Sequence, residues 1–507
     1  MTQEKSSHLD YLRSKGVFTT PSDDICRLLL TSYFRWSHTS FPVINQIDFA
    51  AQYAKQAVPL LLMQAVLFVG ATHCDDQAVS AAGYPDRHTA KSVFYNRAKD
   101  IYDADLESDP VTVIQALFLM SFWRGGPFEK KDTRHWLGAA ITLAQTKAFH
   151  RATRGKSPQL DMLKRRIWWS LYIRERQCAS ALGLPFRIRD EDCDVDSLVQ
   201  QDLFDEVCPS SEVFEPLTLQ SVHYIIQMCE LSTALGQIVC STYLPDKRVS
   251  AAQTGQIRGQ LREWQDKLPR MLRLGQDGEA DSFYPYLLHM THDNLVILVQ
   301  RSAFLDQSRD PNDVQSKAVV QAACRITRLL EDLMSNGDIS HAPLHLVTVI
   351  FNALCIHTLI SSRNTGAAKS VAEHRARLCL MGLKELGTRW EMTEWTLQLF
   401  LQYLDRSMVQ RLQPPRETVQ EDDQTTAANG LVALQHATTM EMPDGRNGDV
   451  RSGGANGIEQ QNIDDVLLNQ IENDFSFGEG NGFAFDGSDS DLMAFLQLSA
   501  FSPAAGV

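Results

Sequence analysis

Two adjacent tryptophans inside a helical repeat constrain this chain more than any other feature. Between Lys164 and Asp196, Ile167, Trp168, Leu171, Tyr172, Cys178, Ala179 and Leu182 recur at steps of three and four residues, the mark of one broad apolar helix face. Polar residues fill the other face. Neighbours on a helix point about 100° apart, so Trp168 and Trp169 cannot share a side, and two directions around the axis need protein cover. The segment is predicted to be a central helix. Gly183 ends it and Pro185 forbids continuation, so Phe186 to Asp196 is read as an acidic, turn-rich loop.

The rest of the chain repeats the helical signature. Residues 1–20 are polar and read as an extended lead-in before Pro21. A helix should start after Ser22 and run to Trp36, and Pro42 breaks the pattern by biasing Phe41 to an extended conformation. A second helix follows that break. Further helical patterns cover 59–72, 87–106, 110–123, 133–149, 212–242, 251–268, 284–305, 311–334, 344–362, 367–386 and 391–411. No β-branched alternating run of useful length occurs, and no fixed repeat. The expected fold is all-α: a large helical regulatory domain over 21–411, followed by a disordered acidic C-terminal tail over 412–507.

The charge is unevenly placed, which separates the tail from the body. Of a formal net charge of -14, the tail end holds a large share: no Lys or Arg follows Arg451, whereas Glu459, Asp464, Asp465, Glu472, Asp474, Glu479, Asp486, Asp489 and Asp491 do. Among these acids, Leu467, Leu468, Ile471 and Phe475 form one apolar cluster and Leu492, Phe495 and Leu496 a second. Carboxylates keep such side chains solvated until a partner groove takes them, so 457–507 reads as an activation segment for a coactivator. The bland alternative is a solvated tail with incidental hydrophobes.

Other chemistries find weaker support. The ten cysteines are scattered without C-x-x-C spacing, as expected of reduced core thiols in an intracellular protein and not of a local zinc cluster. The apolar stretch 57–71 is interrupted by Pro59 and Gln64, and neither a signal peptide nor a membrane span is expected. Asp190-Glu191-Asp192-Cys193-Asp194 and Asn312-Asp313-Val314-Gln315-Ser316 resemble the two magnesium motifs of an all-α terpenoid enzyme, but Val320 stands where the second needs a carboxylate. His341 and His345 have H-x-x-x-H spacing, with Ala342 in place of Glu and Pro343 interrupting. His289, His292 and Asp293 are read as capping or solvating a helix. Gly125-Gly126-Pro127 is a turn without the Lys of a phosphate loop. The basic cluster Arg151, Arg154, Lys156, Lys164, Arg165 and Arg166 has acidic residues nearby and is read as structural. No catalytic, metal or cofactor residue is assigned.

Three motifs, in order and spacing, resemble the fungal-specific transcription factor domain, the middle homology region of fungal zinc-cluster regulators. The first is Tyr33 to His38 with Phe41-Pro42-Val43-Ile44. The second is Trp136-Leu137-Gly138-Ala139-Ala140 through Phe149-His150-Arg151. The third joins Arg165-Arg166-Ile167-Trp168-Trp169 to Arg176, Gly183-Leu184-Pro185 and Ile188-Asp190-Asp192-Asp194. Leu184 replaces the Arg usual in the family's Gly-Arg-Pro. The resemblance is clear over residues 20–260 and points to the branch of the cutinase gene activator. It implies a nuclear transcriptional regulator of catabolic or secondary-metabolite genes, with a small-molecule effector. The family's six-cysteine zinc cluster does not precede these motifs here, so DNA contact is expected only indirectly, through a DNA-binding partner or a zinc cluster missing from the sequence as given. A regulator that titrates partner factors is the variant reading.

Overall fold

The computed structural model describes residues 2–124, 130–152, 157–204, 213–242, 251–275, 283–305, 313–402 and 412. These belong to one compact unit, and among them every regular element is helical. The chain runs through α1 (Thr2–Ser14), α2 (Asp23–Ser32), a π-helical turn (Tyr33–Ser37), α3 (Gln46–Ala54), α4 (Leu60–His73), α5 (Asp76–Ala81), α6 (Arg87–Asp103), α7 (Pro110–Met120), α8 (Thr133–Thr146) and α9 (Pro158–Ala181). A 3-10 turn (Asp190–Asp192) leads to α10 (Gln200–Leu203), α11 (Leu219–Thr242), α12 (Ala251–Lys267), α13 (Phe283–Leu305), α14 (Val314–Ser335), α15 (His345–Arg363), α16 (Gly366–Gly387) and α17 (Met392–Gln402).

Local chemistry sets many of these starts. The side chains of Asp86, Asp109, Asp132, Ser157 and Asp313 accept hydrogen bonds from first-turn amides of α6, α7, α8, α9 and α14. Pro110 and Pro158 sit in first turns, where a missing N–H is harmless. α4 is apolar all round and buried from Leu61 to His73, which requires neighbours on every side; α2, α6 and α7 supply them. In the second half α13 packs on α11 and α14, and α15 on α16. α9 touches α8, α10, α11 and α15, so it joins the two halves, as its paired tryptophans require.

Two helices, α1 and α15, depart from simple periodicity. Residues 2–14 are helical where an extended lead-in is expected, because Leu12 and Val17 are buried and Gln64 Nε2 donates to Thr19 O at 2.8 Å. α15 is long and apolar enough to cross a membrane, with a mean hydropathy of 1.5, yet 78% of that window is buried in the body, as befits a core helix. Lys91, 1% exposed, donates to both carboxylate oxygens of Glu391 at 2.6 and 2.8 Å and to Arg389 O at 3.0 Å. That bond ties α6 to the segment before α17, some 300 residues away. Burial alone would raise the Glu391 carboxyl, but hydrogen bonds from His88 and Lys91 hold it at about 2.

Candidate functional site around α9

Trp168 is 1% exposed, packed with Ile167 and Leu171 in the core. The polar residues of α9 are not wet either: Arg166, Ser170, Arg174, Glu175 and Arg176 are all buried. The following segment folds back and brings carboxylates to them. Arg176 Nη2 donates to Asp190 Oδ1 at 2.6 Å, the Tyr172 hydroxyl donates to the same oxygen at 2.9 Å, and the Arg176 guanidinium lies 4.0 Å over the Phe186 ring. Arg165 reaches Asp202 at 3.2 Å and Asp196 at 3.4 Å. Asp202 also accepts from Val199 N at 3.0 Å, and burial raises its carboxyl. Glu175, fully buried, accepts from Arg187 N at 2.7 Å and lies 3.5 Å from Arg134 Nη1; burial raises it as well. Trp169 is half-buried and donates from Nε1 to Asp196 O at 3.0 Å.

The turn that begins this return depends on Gly183, whose φ of 65° is the left-handed conformation a side chain resists. Pro185 follows, and its carbonyl accepts from Arg134 Nη2 at 3.1 Å. Phe41 and Pro42 are buried, with Phe41 against Phe118 and Phe122 at centroid distances of 5.4 and 5.7 Å. Gln115 Nε2 donates to Val43 O at 2.7 Å, and Arg166 Nη2 to Ile44 O at 3.3 Å, which fastens this loop to α7 and α9. Trp136 is fully buried and donates from Nε1 to the Tyr95 hydroxyl at 3.0 Å, while Gly138 faces the Arg187 guanidinium. The three sequence motifs thus converge around α9. Leu467, Leu468, Ile471, Phe475, Leu492, Phe495 and Leu496 lie outside the described residues.

The remaining candidates are drawn into packing. The His341 ring stacks on Trp36 at 3.9 Å, and burial lowers it to about 4. His289, His292 and Asp293 neither cap nor solvate a helix: they are buried in α13, which α11, α12, α14 and α15 surround. Asp293 is gripped by Arg325 through two bonds of 2.9 and 2.5 Å, and His292 stacks on Trp264 at 5.0 Å. Among the described residues no group of three His, Cys, Asp or Glu is disposed to hold a metal. Asp190 is engaged as above, and Asp313 caps α14. Where the Phe41 loop, α9, α11 and the start of α15 meet, a crevice with room for about one water molecule is lined by Ser40, Gln177, Tyr224 and His345 among others.

Sequence reasoning did not anticipate that α9 buries its charges. The available signal was the run Arg174-Glu175-Arg176 followed by an acidic segment within arm's reach, a pattern that favours closure over exposure. Among known proteins, residues 30–266 are similar to the fungal specific transcription factor domain. The match covers somewhat under half of the chain. It takes in α9 and the whole charged return, and ends within α12. The chain is 28% identical to cutinase transcription factor 1 alpha of Fusarium vanettenii, over 87% of this chain and 50% of that protein. It is 26% identical to the acetamidase regulatory protein of Aspergillus fumigatus over 75% of this chain and 49% of that protein. With the fusaric acid cluster transcription factor FUB12 of Gibberella fujikuroi it shares 21% identity over 94% of this chain and 69% of that protein. The chain spans about half the length of the first two relatives.

Proposed function

We propose that this chain is the regulatory and activating part of a fungal-type transcriptional regulator, working in the nucleus on catabolic or secondary-metabolite genes. The observation that carries the reading is the domain match over 30–266, which covers the α9 charge network. The names of the relatives, which concern cutinase, acetamidase and fusaric acid gene control, favour gene regulation over catalysis. In this reading the helical body answers a small-molecule effector, and 457–507 recruits a coactivator. DNA is reached through a DNA-binding partner or a zinc-cluster module. Against a magnesium-dependent terpenoid enzyme stand Val320 and the engagement of Asp190 by Arg176 and Tyr172.

Fusing 457–507 to an unrelated DNA-binding domain tests the activating role, with reporter output as the readout. The fusion should activate, and replacing Leu467, Leu468, Ile471 and Phe475, or Leu492, Phe495 and Leu496, by Ala should weaken output more than equal numbers of changes at Gly, Asn or Ser. Acid-to-neutral changes should act more mildly, since exposed carboxylates contribute through screened attraction. Unchanged output from the apolar variants at equal protein level would reduce the segment to a solvated extension.

A further inference from the structure

α16 leaves an apolar face uncovered. Its inner side, with Ala372, Ala376, Cys379, Leu383 and Leu386, is buried against the core. On the far side Val371, His374, Leu378 and Met381 follow one another at steps of three and four, a seam of the kind that packs against another helix. Val371 is 47% exposed and Met381 60%, and among the described residues no other helix carries two large apolar side chains so exposed. By helical position Arg375 borders the seam on one side and Arg377 and Lys384 on the other. Glu373 is buried, where its carboxylate accepts from the Ser361 hydroxyl, so Glu385 is the one exposed acid of the helix.

That basic rim selects the occupant. A second copy of the face would set Arg375, Arg377 and Lys384 against their own kind, which like charges oppose. The remainder of this chain has the complementary sign: beyond Leu412 stand 16 acidic and 3 basic residues, which is -13 of the formal -14. Its last stretch, 484–507, has Asp486, Asp489 and Asp491, no Lys or Arg, and Leu492, Phe495 and Leu496 at the i, i+3 and i+4 positions that share a helix face. α17, the last described helix, packs on α16, so the covalent path to that stretch starts from a neighbour of the seam. Residues 413–483, at up to about 3.3 Å each, are long enough to reach it.

We infer that the outer face of α16 is the docking surface for residues 484–507 of the same chain, with Leu492, Phe495 and Leu496 covering Val371, Leu378 and Met381 and the aspartates facing Arg375, Arg377 and Lys384. The contact is intramolecular, so it persists on dilution, and its charged part weakens with salt. It engages apolar residues that the activating role also requires, so the docked segment and a coactivator-bound one exclude each other. The docking itself does not depend on that role.

The test is photocrosslinking within the purified full chain, with benzoylphenylalanine replacing Met381 and, as the control, Leu28, which is exposed on α2. Irradiation from position 381 should give a product of single-chain mass whose mapped peptide lies in 484–507, at a yield well above the control. Leu492→Ser, Phe495→Ser and Leu496→Ser together should lower that yield by about fivefold or more, as loss of an apolar anchor does. Arg375→Glu with Lys384→Glu should lower it by about twofold, and adding Asp489→Lys and Asp491→Lys should recover it. Each variant is compared at a melting temperature matching the parent's, which the exposed positions of these changes allow for the body. A product of two-chain mass, a mapped peptide outside 484–507, a yield no higher than from position 28, or a yield unmoved by the leucine and phenylalanine changes would each overturn the assignment. Crosslinking is read without transcription, so its failure leaves the reporter result for 457–507 standing, and the reverse.

Discussion

α4 and α9 are both central helices, and they are buried for opposite reasons. α4 carries apolar residues on every side, so its burial follows from composition alone. α9 buries three arginines and a glutamate beside its tryptophans: the returning segment brings Asp190 to Arg176 and the Arg187 amide to Glu175, while Arg166 and Arg174 donate to the Ile44 and Ser121 carbonyls. The lesson is that a charged helix face is not evidence of solvent when the next segment holds the complementary charge. One helix is held by its own side chains and the other by its neighbour's.

The largest effect should come from the tryptophans of α9. Trp168→Ala removes a fully buried ring and should cost about 3–5 kcal/mol in denaturant unfolding, whereas half-buried Trp169→Ala should cost about 1–2 kcal/mol, chiefly through its bond to Asp196 O. Both variants unfolding like the parent would remove α9 from the core. A smaller effect comes with acid. Burial, then the Arg166 charge, lowers His38 to about 3, so the folded protein resists a proton that the unfolded chain accepts near pH 6.5. Its contribution is present above pH 6.5 and is lost as pH falls toward 3, at roughly 1.4 kcal/mol per unit. His38→Gln should flatten the stability profile over that range; an unchanged slope would place the acid sensitivity elsewhere.

The two helices also differ in how tightly they are approached. A Cβ at Gly70 of α4 would strike the backbone carbonyl of Leu29, which cannot move alone, so Gly70→Ala should cost about 1–3 kcal/mol. At Gly138 the obstacle is the end of the Arg187 side chain, which can swing aside, and Gly138→Ala should cost only about 0.5 kcal/mol. A reversal of that order in melting temperatures would contradict the assignment of rigid packing to α4 and adaptable packing to the rim of α9.

The helices were legible in the sequence because their causes are local. Asp109, Asp132 and Ser157 mark starts, apolar periodicity marks faces, and Gly183 with Pro185 marks a stop. The candidate site was legible only as motifs. Arg165 finds Asp202 37 residues later and Lys91 finds Glu391 300 residues later, distances at which periodicity carries no information. α10 is four residues long, too short for a period, and the π turn at Tyr33–Ser37 follows from packing of Tyr33 and Phe34 that no spacing rule encodes. His289, His292 and Asp293 misled for a related reason: the Arg that receives Asp293 lies on the next helix.

The dependence of α9 on its neighbour is measured most directly by a double-mutant cycle across Arg165 and Asp202, read as unfolding free energy. Arg165→Met leaves the buried Asp202 carboxylate without its cation and should cost about 2–3 kcal/mol, less than a fully buried pair because Arg165 is 22% exposed. Adding Asp202→Asn should then restore part of the loss, giving a coupling of at least about 1 kcal/mol. Strict additivity of the two changes would mean that the returning segment covers α9 without holding its charges.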